Sequence, residues 1–189
     1  MLKYEAVVIG VSCGGLDALK KIFTSLPADF PLPVLVVQHL HPSQSDEFFS
    51  GFQGSCPLNI KTADEKEMIV AGTIYFAPPN YHLLVEKDRT LTLSVDERVN
   101  FSRPSVDVLF ESAADVFGAG LVGVVLTGAN ADGADGLRII KERGGLTVVQ
   151  DPASAVADYM PRAALDAVSA DHVLPLTEVG PFLVGLVRN

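Results

Sequence analysis

Short apolar runs bounded by glycine or proline alternate along most of the chain with longer segments of helical periodicity. The first such run extends from Ala6 to Val11, and the segment after it repeats apolar residues three and four positions apart until Pro27. Repeats of this kind are typical of βα units, which build a parallel sheet covered by helices on both faces. The pattern therefore predicts an α/β fold with a doubly wound, mostly parallel sheet.

The rest of the chain continues this alternation, with one interruption. Further strands are predicted at Pro33 to His39, Ile60 to Ala63, Thr73 to Ala77 and Leu121 to Leu126, at a run ending at Val149, and around Val173. Helices are predicted from Ser43 with Phe48, Phe49 and Phe52 on one face, from Pro104 as first helical residue through Ala113, from Ala134 to Arg143, from Met160 to Ala167, and after Thr177. Two runs, His82 to Glu86 and Thr90 to Val95, flank a polar turn and predict an inserted antiparallel β-hairpin.

Composition narrows the class of protein. The chain has 189 residues, of which 48% are hydrophobic, enough for the core of one domain spanning residues 1–189. Fourteen Lys and Arg residues stand against 23 Asp and Glu, a formal charge of -9. This balance argues against a protein that coats phosphates, so we expect neither a nucleic acid partner nor a polyanionic substrate.

The two cysteines, Cys13 and Cys56, form neither a disulfide framework nor a zinc-ligand spacing. The apolar run near the N-terminus is too short for a signal-peptide core or a membrane span. We expect a cytoplasmic protein without membrane insertion, and no metal or cofactor.

Ser12 follows the first strand on a glycine-rich turn, and two kinds of site compete there. The spacing Gly10-x-Ser12-x-Gly14 matches a nucleophile elbow, in which glycines leave room for a sharp turn and an approaching acyl group. Gly10, Ser12 and Gly15 are also one substitution away from the fingerprint of dinucleotide sites. Taken alone, Ser12 is also compatible with an ordinary helix N-cap.

His39 ends the second predicted strand, where a dinucleotide site would have an acidic residue for the ribose. The pair Gln38-His39 weakens that alternative. Because the carboxyl ends of parallel strands share one edge, His39 and Ser12 would face one crevice if their strands are close neighbours, and a neutral imidazole there could take the serine proton. His41, two residues later, suggests a pair of metal ligands. This alternative is weaker, because no Asp, Glu or Cys ligand stands beside the pair at a suitable spacing.

Asp132 and Asp135 lie after the most apolar predicted strand, in a loop whose Asp-Gly pairs are ordinary turn chemistry. At that strand end a carboxylate could also hold one imidazole nitrogen and stabilise the imidazolium. Cys13 is a rival nucleophile, although packing at the margin of the site is its more natural role. Arg103 is expected to border the crevice, and His82 to be structural or to face the substrate.

Four segments carry a resemblance when taken together and in order: Ile9 to Gly15, Gln38-His39-Leu40 with Pro42, Arg103 to Phe110, and Leu126 to Gly133. They are similar to the Ile-Gly-Ala-Ser-Thr-Gly-Gly, Gln-His-Met-Pro, Arg-Pro-Ser-Val-Asp-Val-Leu-Phe and Leu-Thr-Gly-Met-Gly-x-Asp-Gly segments of the CheB family. This family comprises the catalytic domains of chemotaxis protein-glutamate methylesterases, and the similarity spans nearly the whole chain.

The resemblance implies that Ser12 is the nucleophile, His39 the general base and acid, and Asp132 the orienting carboxylate. It also implies a backbone oxyanion donor at Ala129, with Cys13, Gly14 and Arg103 at the border of the site. The chain departs from the family pattern at three positions. Cys13 stands in place of threonine, Ala129 in place of methionine and Asn130 in place of glycine.

The implied activity is hydrolysis of glutamate methyl esters on the cytoplasmic helices of chemoreceptors, with release of methanol, and also deamidation of receptor glutamines. Family members usually carry a regulatory receiver domain before the catalytic domain. Met1 directly precedes the first strand here, so we expect an open site or control by a separate response-regulator protein. Two alternatives are a weakly active binding module in a signalling array and a phosphate- or nucleotide-binding domain.

Overall fold

The computed structural model describes residues 3–39, 51–52 and 54–188. Its strands, numbered β1 to β9 in chain order, are Ala6–Val11, Val34–Gln38, Asn59–Thr62, Thr73–Phe76, His82–Val85, Leu91–Ser94, Leu121–Val125, Leu146–Gln150 and His172–Leu174. Its α-helices, numbered α1 to α5 within the described ranges, are Gly15–Phe23, Val106–Phe117, Ala134–Glu142, Tyr159–Ala167 and Leu176–Val187. The predicted helix with Phe48 and Phe49 and the histidine at position 41 lie outside the described residues.

Seven of the strands form one sheet in the order β3-β4-β2-β1-β7-β8-β9, and every neighbouring pair is parallel. β5 and β6 pair antiparallel in a separate two-stranded sheet. The predicted α/β class and the inserted hairpin are therefore confirmed. β1 lies at the middle of the large sheet, between β2 and β7.

Alternate residues of β1 belong to two separate apolar cores, one on each face of the sheet. Val7 and Ile9 pack in the core that contains α1 and α5, whereas Val8 packs in the core that contains α2, α3, α4 and the hairpin. All residues of β1 are buried. Burial on both faces explains why this strand is a continuous apolar run and not an alternating one.

The start of α2 differs from the sequence prediction. The helix begins at Val106 with Ser105 as its N-cap, and Pro104 precedes it. The prediction of Pro104 as first helical residue is therefore wrong. Asp132 binds the N–H groups of Val106 and Asp107, and these bonds define the first turn of the helix. No helix within the described residues has the length and apolar character to cross a membrane.

Candidate functional site

The carboxyl ends of β2, β1 and β7 form the edge of the sheet where the predicted site residues lie. β1 pairs with both of the other strands. Backbone hydrogen bonds continue beyond the strand ends: the His39 N–H donates to the Val11 carbonyl at 3.2 Å, and the Ser12 N–H donates to the Thr127 carbonyl at 2.9 Å. Ser12 therefore lies between His39 and the loop after β7, in agreement with the strand-end argument.

Packing explains the glycines around Ser12. Gly14 has a φ of +79°, a left-handed conformation that favours glycine. A Cβ atom at Gly10 would collide with the Val106 side chain, and one at Gly15 would collide with Oε1 of Gln38. The sharp turn therefore depends on close approaches from α2 and from the end of β2.

Gln38 also tests the dinucleotide alternative. Its side chain is 6% exposed and donates from Nε2 to the carbonyls of Ser12, at 2.9 Å, and His39, at 3.1 Å. In this arrangement the residue that ends β2 braces the serine turn from inside and is not free to hold a ribose. The structure thus gives the dinucleotide alternative no acidic partner at this position.

Asp132 lies fully buried beside His39, with Oδ2 2.8 Å from Nε2 of the imidazole. Four further donors surround the carboxylate and belong to the N-terminus of α2 or the turn before it. They are Val106 N at 2.7 Å from Oδ2, and Ser105 Oγ at 2.7 Å, Asp107 N at 3.1 Å and Asn100 Nδ2 at 3.2 Å from Oδ1. The helix N-terminus and these hydrogen bonds hold the carboxylate charged and in one orientation.

Two opposing effects, burial and hydrogen bonding, determine the pKa of Asp132. Burial acts to raise it, but the hydrogen bonds from His39, Val106 and Ser105 outweigh burial and hold the pKa below its ordinary value. An ionised carboxylate bonded to one nitrogen of an imidazole fixes the ring and stabilises its protonated form. The pair can therefore support proton transfer at the other nitrogen, Nδ1.

Nδ1 of His39 faces Asn130, a contact that sequence reasoning missed. Nδ2 of Asn130 lies 3.0 Å from it. Among the described residues, the hydroxyl of Ser12 has no hydrogen-bond partner. Ser12, His39 and Asp132 lie at one edge of the sheet, but the serine hydroxyl is not bonded to the histidine. The only sequence signal at position 130 was its departure from the glycine of the family pattern.

Asp107 binds the start of α3 in the way that Asp132 binds the start of α2. Its Oδ1 accepts from Gly133 N at 3.0 Å and Gly136 N at 2.6 Å, at the start of α3. Asn100 bridges the two carboxylates, donating from Nδ2 to Asp107 at 2.7 Å as well as to Asp132. The Arg103 to Phe110 segment contained this supporting residue, but sequence reasoning treated it only as a helix start.

His82 is buried and holds the turn that leads to α2. It is 1% exposed, its Nε2 lies 2.9 Å from the Glu97 carbonyl, and its Nδ1 accepts from Ser105 N at 3.1 Å. Because a carbonyl only accepts, the proton is on Nε2. The structural alternative for His82 is therefore correct.

The residues expected at the border of the site fall into two groups. Cys13 and Ala129 are both exposed, and within the part of the chain that is described their backbone N–H groups donate no hydrogen bond. Arg103 instead donates from its guanidinium to the carbonyls of Val95, at 2.8 Å, and Asp96, at 3.0 Å, so it braces the end of the hairpin. Asp135 is exposed and lies near Arg138.

The loop after β7 is anchored by two buried polar side chains. Gln150 Oε1 accepts from Thr127 N at 2.9 Å, and Thr127 Oγ1 donates to the Cys13 carbonyl at 2.8 Å. These bonds tie the loop to the serine turn. Sequence reasoning missed Gln150, since nothing in its neighbourhood marks it apart from any polar residue at a strand end. The described residues contain no cluster of three or more side chains suited to a metal ion.

Comparison with known proteins identifies the chain's relatives. The sequence profile of the CheB methylesterase family matches residues 7–183. A protein of Leptospira interrogans serogroup Icterohaemorrhagiae serovar copenhageni is 52% identical over 188 residues, which cover 100% of this chain and 97% of that protein. A protein-glutamate methylesterase/protein-glutamine glutaminase of Nitrosospira multiformis is 39% identical over 183 residues, which cover 97% of this chain and 52% of that protein. The chain thus spans about half the length of the Nitrosospira relative.

A solved structure agrees with these sequence matches. The crystal structure of the Thermotoga maritima CheB methylesterase catalytic domain superposes with a TM-score of 0.92 and 32% sequence identity, covering 97% of this chain and 99% of that one. The family profile, the relatives and the fold agree over nearly the same residues. The chain belongs to the CheB methylesterase family.

Proposed function

We propose that this protein hydrolyses glutamate methyl esters on the cytoplasmic helices of chemoreceptors, with Ser12 as nucleophile, His39 as general base and acid, and Asp132 as the orienting carboxylate. The same acyl-enzyme chemistry would deamidate receptor glutamines. One observation carries the proposal: the buried Asp132 carboxylate is bonded to His39, 2.8 Å away, at the sheet edge where β1 delivers Ser12.

The tautomer of His39 indicates the path of the proton. With Nε2–H bonded to Asp132, the basic nitrogen is Nδ1, which takes the proton as the Ser12 oxygen attacks the ester carbonyl. The resulting imidazolium returns that proton to the methoxy oxygen, and methanol leaves. A water molecule then repeats the sequence on the acyl-enzyme, which releases glutamate and regenerates Ser12.

The N–H groups of Cys13 and Ala129 would stabilise the oxyanion that forms at each step. Both lie on the turns that flank Ser12, and within the described residues neither has an acceptor. A donor already committed to a carbonyl could not serve in this role; Gly128, for example, donates to Ala157 at 3.0 Å. Since the donors are backbone groups, the departures at positions 13 and 129 leave them in place.

Exposed apolar side chains around the site support a protein substrate. Phe101, at the tip of the turn that carries Asn100, is 96% exposed, and Val156, which packs over Gly14, is 75% exposed. Tyr159, in the same region as Val156, is 59% exposed. A rim of this kind suits the apolar positions of a helix that presents a methylglutamate side chain.

The test is methanol release from methylated receptor, compared between the natural chain, Ser12→Ala and Cys13→Ala. We expect Ser12→Ala to lose the activity by roughly three or more orders of magnitude. Cys13→Ala keeps the N–H group and should retain most of it. Equal release from the natural chain and Ser12→Ala would remove the nucleophile assignment, and no release from any variant would favour the binding-module alternative.

A further inference from the structure

We propose that Asn130 is a positioning residue: it occupies the proton-accepting nitrogen of His39 in the free enzyme and must release it before Ser12 can be activated. This inference rests on the proposed roles of Ser12 and His39. It concerns a position where the chain departs from the pattern of the family it resembles.

The orientation of the Asn130 amide follows from its own hydrogen bonds. The backbone N–H of Asp132 donates to Oδ1 of Asn130 at 3.1 Å. A peptide N–H can only donate, so the atom that it meets is the amide oxygen. The amide nitrogen Nδ2 is therefore the atom that faces His39, 3.0 Å from Nδ1.

This orientation also determines the protonation of the imidazole. An amide nitrogen is a donor only, so Nδ1 of His39 must be the accepting nitrogen. The ring proton is then on Nε2, where it donates to Oδ2 of Asp132 at 2.8 Å. The three hydrogen bonds are mutually consistent, and together they hold the ring in the tautomer needed for proton uptake at Nδ1.

The hydrogen bond from Asn130 Nδ2 to His39 Nδ1 also blocks the proposed proton transfer. With the ring proton on Nε2, the imidazole has one lone pair that can accept a hydrogen bond, on Nδ1, and Asn130 uses it, while within the described residues the Ser12 hydroxyl has no partner. When Ser12 attacks, its oxygen forms the bond to the ester carbon and its proton moves to that lone pair. The new Nδ1–H would then point at the amide N–H groups of Asn130. Two donors cannot pair, so Asn130 has to move away first.

A purely local role for Asn130 would be to shape the loop, because its Oδ1 accepts from the N–H two residues later, as in an Asx turn. Asn130→Ser separates the two roles. A serine hydroxyl can still accept from the Asp132 N–H but is too short to reach His39. Asn130→Ala removes both interactions.

The experiment measures the rate at which a small fluorophosphonate labels Ser12 in the natural chain and in both variants. Because the lost interaction is one neutral hydrogen bond, we expect Asn130→Ser and Asn130→Ala to label roughly two- to tenfold faster than the natural chain. A loop-shaping role alone predicts that the serine variant labels at the natural rate and that the alanine variant labels more slowly. Equal or slower labelling in the serine variant would overturn the proposal.

A spectroscopic readout keeps the test independent of catalysis. In the Ser12→Ala background, adding Asn130→Ser should move the ¹⁵N resonance of His39 Nδ1 toward that of an acceptor without a hydrogen bond. An unchanged resonance would overturn the proposal. Labelling without methanol release from methylated receptor would mean that the proposed substrate is wrong while the role of Asn130 is still tested.

Discussion

Asp107 and Asp132 bind helix N-termini in a reciprocal arrangement, in which each carboxylate caps the helix that the other residue begins or precedes. Asp132, just before α3, accepts from the first N–H groups of α2, and Asp107, in the first turn of α2, accepts from Gly133 and Gly136 at the start of α3. Asn100 donates to both carboxylates. The crossed arrangement ties the orientation of the buried site carboxylate to the packing of two helices.

Asp132→Asn should lower kcat for methanol release by roughly three to four orders of magnitude, because an amide cannot hold the required histidine tautomer. It should also lower the free energy of unfolding by about 1–3 kcal/mol, since the amide nitrogen would replace an oxygen that accepts from fixed donors such as the Val106 N–H. Ser105→Ala removes one donor, at 2.7 Å from Oδ1, and serves as the milder control. Steady-state kinetics and urea unfolding measure the two effects. Unchanged kcat in a folded Asp132→Asn protein would contradict the orienting role.

Stability should depend on pH through Asp107. Burial raises its pKa to about 6 from 3.8, and the charge of Asp132 adds to this rise. A raised folded-state pKa means that the stabilising contribution is present below the unfolded value and is lost as pH rises through about 6. Asp107→Asn cannot ionise. The free energy of unfolding of Asp107→Asn minus that of the natural chain should therefore increase by at most about 3 kcal/mol as the pH rises from 4 to 7.

Urea unfolding at both ends of that pH range measures this difference, with Asp17→Asn, at an exposed carboxylate in the first turn of α1, as the control. Asp132 acts in the opposite sense: its pKa is lowered, so its contribution is lost only as pH falls below the ordinary value. Between pH 4 and pH 7, the difference between Asp107→Asn and the natural chain therefore reports mainly on Asp107. A pH-independent difference between Asp107→Asn and the natural chain would refute this prediction.

Gly128→Ala should damage the site. A Cβ there would overlap Sδ of Met160 and lie 3.0 Å from Cβ of Ser12. We expect a loss of about 1–3 kcal/mol in the free energy of unfolding and at least a tenfold lower kcat. Gly185→Ala, in α5, is the matched control because, among the described residues and apart from its neighbours and the backbone of its own helix, no atom lies within 4 Å of its added Cβ. That variant should unfold at equal or higher urea concentration and keep its activity; comparable kinetic losses in both would show that the close approach is unimportant.

Ala129→Pro tests the backbone donor. Proline removes the N–H that has no acceptor among the described residues, and kcat should fall by about 10²–10³-fold if this group stabilises the oxyanion. Ala129→Ser keeps the N–H and should stay within a few-fold of the natural rate. Burst kinetics with an activated ester would separate an acylation defect from slow deacylation. Equal rates in the two variants would remove Ala129 from the oxyanion site.

Phe101→Asn should weaken substrate binding without harming the fold. Phe101 has a φ of +62°, which asparagine adopts more readily, so the free energy of unfolding should hold or rise. Loss of a 96% exposed aromatic ring beside the site should raise KM for methylated receptor several-fold, with little change in labelling by a small fluorophosphonate. Val173→Ser, at an exposed apolar position on β9, is the control. An unchanged KM in Phe101→Asn would place the receptor elsewhere.

The sheet and the three proposed catalytic side chains could be predicted because they depend on local signals. Apolar runs such as Ala6–Val11 mark strands buried on both faces, and the carboxyl ends of parallel strands share one edge. Ser12 and His39 each follow directly on a strand, so only the strand order was needed to bring them near each other. The pairing of β1 with both β2 and β7 supplied that order.

The supporting contacts could not be predicted in this way. Asn130 and His39 are 91 positions apart, and His82 meets Ser105 across 23 positions, with no pattern in the chain that links them. The periodicity around Asp107 predicts only a helix start. Its partners became visible only when α2 packed beside α3.

The sequence by itself determined the α/β class, the strand ends that bear chemistry and the family, because periodicity and short motifs are properties of neighbouring residues. Only the tertiary structure decided which nitrogen of His39 carries the ring proton, and that Asn130 donates to the other one. Hydrogen-bond direction depends on donors and acceptors brought together from distant segments. Those directions determine where the proton resides.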